Sequence, residues 1–287
     1  MPQREPWLGW IYVSPLLLVL VPFFVAPILV VLAVSFLESD GFGGIIPNFT
    51  LANYVGLFTA RLTFDLYLET FRFTLLTWFF SLVIGFWVAY FLVFHVRNPL
   101  LALGLFLLCT VPFWTSNIIR MISWIPLLGK EGLINSALLR LGVIREPLEF
   151  LLFSGFSVVV AYVHQLTIFM IVPIFNAMAR IDKRIVEAAV DAGASRLDIM
   201  RLIILPLSKT GIALGSIFVV SIVMGDFFVI KVMSGGGSAS VVGAFYEDIG
   251  VLQYPPAAAS AVVLTLVVTV IVALMLRTVD IRREIAR

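Results

Sequence analysis

Hydrophobic positions in this chain do not alternate with polar ones; they run on. Six stretches stay apolar for about twenty residues or more: about Trp10–Phe36, Phe71–Phe94, Leu100–Ile119, Phe150–Phe175, Gly211–Ile230 and Pro256–Leu276. A helix rising ~1.5 Å per residue needs roughly 20 apolar residues to cross a hydrocarbon core. Lipid-facing barrel strands would alternate instead. The pattern predicts an all-α integral membrane protein with six transmembrane helices. Pro15, Pro22 and Pro27 should bend the first, which neighbouring helices tolerate in a membrane. That run is too long for a secretory signal and no A-x-A site follows, so it is expected to stay as a span.

Between the runs, Leu37–Thr70, Met121–Glu149 and Lys231–Pro255 fall on one side, the middle one with a short interfacial helix expected near Ile134–Leu141. His95–Pro99 and Ala179–Thr210 fall on the other. No interval leaves room for a second folded unit, so residues 1–287 read as one transmembrane domain.

Charge orients the bundle. With the N-terminus inside, twelve Lys/Arg lie on that face: Arg4, Arg97, Arg180, Lys183, Arg184, Arg196, Arg201, Lys209, Arg277, Arg282, Arg283 and Arg287. Five lie outside (Arg61, Lys130, Arg140, Arg145 and Lys231), while Arg72 and Arg120 sit near outer span ends. The positive-inside rule then places both termini in the cytoplasm.

Composition agrees: 61% of residues are hydrophobic and 13% charged, and the mean hydropathy is +1.10. That excludes a disordered chain and a water-soluble globule. One cysteine, Cys109, excludes an internal disulfide, and His95 and His164 have no local metal-ligand spacing. No cluster suggests a catalytic site, and nothing suggests nucleic-acid binding. The glycines near Lys130 and at 235–237 lack the order of a phosphate-binding loop.

The informative segment is Arg180–Ser208, RIDKRIVEAAVDAGASRLDIMRLIILPLS. Ile181, Ile185, Ala188, Ala189 and Ala192 share a helical stripe, and Glu187 is spaced to pair with Lys183 or Arg184. Gly193 suits a left-handed C-terminal cap. Ser195 with Asp198 approximates a capping box for a second helix, which Pro206 is expected to end. The expected shape is helix, glycine turn, helix. Such an element could be a plain amphipathic connector resting on headgroups.

Glu187-Ala188-Ala189, Gly193 four residues on, and Ile203-x-Leu205-Pro206 after nine more resemble the EAA loop of the membrane subunits of binding-protein-dependent ABC importers. Val111–Arg120, Gly129–Asn135, Met224–Phe227 and Gly235–Gly237 are similar to the spermidine/putrescine-type group of these permeases. The resemblance implies the type I ABC importer permease fold in a bacterial inner membrane. It also implies a transport subunit rather than an enzyme, binding no cofactor itself, with ATP and Mg on two separate ATPase subunits. The remaining implied partners are a second permease chain, expected to be a different polypeptide, and a periplasmic solute-binding protein. In that scheme Glu187, Ala188, Ala189, Gly193, Ile203, Leu205 and Pro206 couple the chain to the ATPase.

For cargo, Asp226 is the clearest residue, roughly 24 Å along a helix from Thr210 at ~1.5 Å per residue. Ionisable groups in spans face the bundle interior or a watery path. Beside Phe227, a carboxylate could draw an amine by charge and cation–π attraction. It could equally pair with Arg120 or Arg72, or accept backbone N–H groups at an unwound turn by Gly225. Trp114, Asn117 and Arg120 are further path candidates, though Asn117 and Arg120 would also serve as glue between helices. His164 and Gln165 are expected to make an interhelical hydrogen bond. The alternatives are an ion-coupled secondary transporter or channel, marked by paired broken helices, and a membrane enzyme. Neither accounts for the EAA spacing.

Overall fold

A computed structural model describes the backbone of residues 6–277 and the side chains of residues 12–277. Arg4, Arg282, Arg283 and Arg287 of the charge count, and the Trp10 side chain, lie outside the described residues. The described residues are mostly helical. Five helical stretches are long and apolar enough to span a membrane: Tyr12–Val34, Arg61–His95, Glu149–Ala179, Arg196–Met224 and Tyr254–Arg277. The sixth apolar run is a pair, Pro99–Trp114 and Asn117–Arg140, bent by 92°.

In chain order, α1 (Pro6–Leu20) passes through a π-helical turn (Val21–Val25) into α2 (Ala26–Val34). Of the three prolines expected to bend this span, Pro22 and Pro27 stand at the starts of the π turn and of α2, and Pro15 lies inside α1. Strands β1 (Leu37–Ser39) and β2 (Ile45–Phe49) form an antiparallel hairpin that hydropathy does not signal. Its loop is closed by Asp40, whose Oδ1 accepts from the Phe42 and Gly44 N–H groups at 2.8 and 2.7 Å. Helix α3 (Ala52–Thr59) follows, then α4 (Arg61–Tyr90), which starts well before the expected Phe71 and ends in a π turn at Phe91–His95.

Next come α5 (Pro99–Thr110), α6 (Asn117–Leu128), α7 (Leu133–Arg140), α8 (Gly155–Ala179), α9 (Lys183–Asp191) and α10 (Arg196–Ile199). A π turn at Met200–Ile204 leads into α11 (Leu205–Met224), followed by α12 (Phe228–Met233), α13 (Val241–Gly250) and α14 (Tyr254–Arg277). Helix α7 occupies the position expected for the interfacial helix.

Two compact units are present: the chain up to Phe64 with Ala244–Val267, and Asp65–Gly243 with the chain from Val268. The second is centred on the pair α8–α11. Gly211 and Gly215, four apart on α11, face Pro173, Ala177 and Met170 of α8. A Cβ on Gly211 would fall on the Pro173 carbonyl oxygen and 2.7 Å from Ala177 Cβ; one on Gly215 would stand 2.7 Å from Met170 Sδ. In lipid, helix association rests on this close approach of backbones rather than on a hydrophobic drive. Gly85 of α4 likewise admits Met170, which is fully buried. By contrast, none of the Tyr12–Val34 side chains in its most apolar window is buried, as suits a helix solvated by lipid or by another subunit.

Candidate functional site

The elbow α9–α10 forms as its local chemistry dictates. Asp182 caps α9, its Oδ1 accepting from the Arg184 N–H at 3.0 Å. At the far end Gly193 has φ +83°, with its N–H bonded to the Val190 carbonyl and the Ala194 N–H to the Ala189 carbonyl, both at 2.9 Å. This is the double closure of a Schellman cap, and it needs the left-handed conformation glycine adopts at least cost. Ser195 and Asp198 complete a reciprocal capping box, Asp198 N–H to Ser195 Oγ at 3.2 Å and Ser195 N–H to Asp198 Oδ2 at 3.1 Å. Two caps back to back fix the elbow's angle.

Three details differ from the sequence expectation. The inward face of α9 consists of Val186 and Ala189, with Ile181 and Ala194 beside it, whereas Ile185 is 48% exposed and Ala188 and Ala192 lie on the outer surface. A helix this short carries apolar residues on both sides, and tertiary docking selects which side is buried. No ion pair joins Glu187 to Lys183 or Arg184 among the described residues; Glu187 projects from the surface. Pro206 does not end a helix but sits in the first turn of α11. The π turn at Met200–Ile204 accommodates the N–H a proline lacks and relieves its ring's clash with the preceding turn. Ile203 is half-buried, and Leu205 and Pro206 are exposed.

The path candidates fall at two helix breaks. After α5, Pro112 begins a 3₁₀ turn (Val111–Trp114) and Thr115 is extended, so the expected span Leu100–Ile119 stops at Trp114. Asn117 and Arg120 therefore stand on α6, across the 92° bend. Trp114 is 83% exposed. Arg120 Nη2 donates to Asn117 Oδ1, while its Nε and Nη1 are buried without a partner among the described residues. Helix α6 is tied to α8 where Trp124 Nε1 donates to His164 Nδ1 at 3.3 Å, the interhelical bond expected of His164; Gln165 Oε1 is left unpartnered among the described residues.

The second break lies in the expected fifth span, which ends at Met224 rather than Ile230. Gly225 caps α11, and Asp226 turns the chain into α12. Asp226 Oδ1 accepts from the Val229 N–H at 2.9 Å and from the Tyr162 hydroxyl of α8 at 3.0 Å. Of the structural partners expected for it, the backbone N–H at the turn beside Gly225 is the one it meets. It pairs with neither Arg120 nor Arg72; Arg72 meets Glu69 at 3.2 Å instead. A second clamp holds α12 to α8, Ser157 Oγ donating to the Met233 carbonyl at 2.8 Å. Phe227 follows Asp226, its ring 6.5 Å from that of Phe228. Helices α6, α8 and α12 pack together, so both breaks border α8. Among the described residues no group of three or more His, Cys, Asp or Glu side chains could hold a metal ion.

Irregular backbone at membrane depth is stable only where protein or a watery cavity satisfies it. Two helix breaks thus border α8, and a doubly capped elbow lies on the loop between α8 and α11. Residues 81–284 match the family of binding-protein-dependent transport system inner membrane components, and the chain belongs to it. It is a permease subunit of the bacterial inner membrane, not an enzyme. The spermidine/putrescine transport system permease protein PotB of Escherichia coli K12 is 35% identical over 252 residues, covering 86% of this chain and 89% of PotB. PotB of Haemophilus influenzae is 33% identical over 224 residues, covering 78% and 77%. A crystal structure of a bacterial ABC transporter that imports the acidic polysaccharide alginate superposes with a TM-score of 0.73 at 18% identity, covering 95% of this chain and 94% of that one. The shared fold is that of ABC importer permeases of type I.

Proposed function

We propose that this permease forms half of the translocation path of an ATP-driven polyamine importer, with both termini in the cytoplasm. The observation that carries the coupling role is the doubly capped elbow, with Glu187 and Ala188 presented on its outer surface. Small side chains at 188 and 189 let a partner's surface approach the helix backbone, Glu187 offers it an ionic anchor, and Gly193 sets the turn. Ile203 in the π turn leads into Leu205 and Pro206 at the start of α11, so a push on α9 is delivered to the helix that ends at Met224, two residues before Asp226.

Two ATPase subunits would hold ATP and Mg and bias a rigid-body switch between inward- and outward-facing states. A second permease would complete the path, and a periplasmic binding protein would deliver the solute. A polyamine as cargo is supported by the 35% identity with PotB across most of both chains. The Asp226 carboxylate beside Phe227 supplies suitable chemistry, with Trp114, Asn117 and Arg120 at the neighbouring break.

The test is copurification. Glu187→Lys and Gly193→Asp should each reduce ATPase association at least tenfold while membrane insertion stays normal. Intact assembly and transport in both variants would remove the coupling role.

A further inference from the structure

A groove of about 820 Å³ opens between the end of α4 and the elbow, within the second compact unit. This falls within the ~300–1,000 Å³ range of small-molecule sites. One wall is aromatic: Trp87 and Tyr90 of α4, with His95 in the π turn beyond. The other is the elbow, with Val186, Leu197 and Arg196. The aromatic wall is preorganised by its own edge contacts, Trp87 to Tyr90 at 5.7 Å and Tyr90 to His95 at 5.2 Å between ring centroids. Trp87 is 55% exposed, so the groove is open to whatever solvates the helices.

We propose that this groove binds an anionic phospholipid, headgroup toward Arg196 and His95, acyl chain along Trp87, Val186 and Leu197. The walls complement such a molecule in sign and in polarity. Arg196 carries a fixed positive charge and makes no ion pair among the described residues, and the His95 ring can donate a hydrogen bond. The acidic side chains of the elbow, Asp182, Glu187, Asp191 and Asp198, do not line the groove. Aromatic rings at a span end sit naturally at headgroup depth, and basic pockets between spans on the cytoplasmic side suit anionic headgroups. The depth assignment rests on the cytoplasmic placement of the elbow proposed above. A lipid lodged here would hold α9–α10 against α4, linking the coupling element to membrane composition.

Trp87 reports on its own site. The full-length permease is placed in nanodiscs containing brominated phosphatidylglycerol or brominated phosphatidylcholine, and quenching lost in Trp87→Phe is assigned to Trp87. Phosphatidylglycerol should quench that component about fivefold more effectively, the worth of one basic side chain beside an anionic headgroup. Arg196→Gln should abolish the preference and Arg196→Lys retain it. Equal quenching by both lipids, absent quenching, or a preference unchanged in Arg196→Gln would overturn the proposal. So would loss of quenching by both lipids on adding the ATPase, which would give the groove to that partner. Because the permease is measured without its ATPase first, failure here leaves the importer reading standing, and failed ATPase copurification leaves the lipid site standing.

Discussion

At the scale of single residues, two side chains have separable duties. Asp226 carries a carboxylate and holds the first turn of α12 against α8, accepting from the Val229 N–H and the Tyr162 hydroxyl. Asparagine caps a helix about as well as aspartate, so Asp226→Asn should keep the break intact while removing the charge. Uptake of a cationic cargo should then fall at least tenfold at limiting concentration, with unchanged amounts of folded protein by size-exclusion chromatography. Asp226→Ala should lose both. Unchanged uptake by the asparagine variant would make Asp226 purely structural. Gly193 is a conformational requirement: at φ +83° an alanine costs about 1–2 kcal/mol. Open space surrounds its Cβ position, so the penalty is backbone strain alone. Gly193→Ala should weaken ATPase association less than Gly193→Asp, whose added negative charge also stands at the C-terminal end of α9, in pull-downs of equal permease amounts.

At the scale of elements, the α8–α11 pair depends on Gly211 and Gly215. Gly211→Leu should drive the helices apart and cost at least the ~1–3 kcal/mol typical of overpacking. The expected readout is a lower unfolding midpoint in detergent, with far-UV helicity kept before unfolding. This four-residue glycine spacing is visible in the sequence, but its meaning depends on which helix lies opposite, and α8 is some forty residues earlier in the chain. The elbow was readable for the opposite reason: its caps join Asp182 to Arg184, Ala189 to Ala194 and Ser195 to Asp198, all within five residues. Burial of α9 was not readable to the same degree, because Val186 rather than Ile185 faces the core through contacts with distant helices.

At the scale of the whole molecule, the sequence holds no phosphate-binding loop, and in the importer proposed above the energy for uphill transport comes from the ATPase subunits. Reconstituted alone, the chain should equilibrate its solute at most; with ATPase, second permease and binding protein it should accumulate it on adding ATP. Accumulation by the lone chain would refute ATP-driven import. Orientation is checked separately. With Cys109 replaced by Ser, a cysteine at Arg184 should react with an impermeant maleimide only after the inner face is exposed. One at Lys130 should react from the outer face; the reverse pattern would invert the topology.

Hydropathy alone established the membrane class and the number of apolar runs, since each run must bury its own backbone bonds in lipid whatever its neighbours do. Local capping chemistry established the elbow for a similar reason, its bonds closing within a turn or two. Where the third and fifth runs break, and that Asp226 meets Tyr162 across 64 positions rather than Arg120 or Arg72, was settled only by packing. Leu100–Ile119 and Gly211–Ile230 are apolar enough to continue as helix, and their interruptions become stable when α6 and α12 find hydrogen-bond partners on α8. Those energies exist only once the helices are side by side.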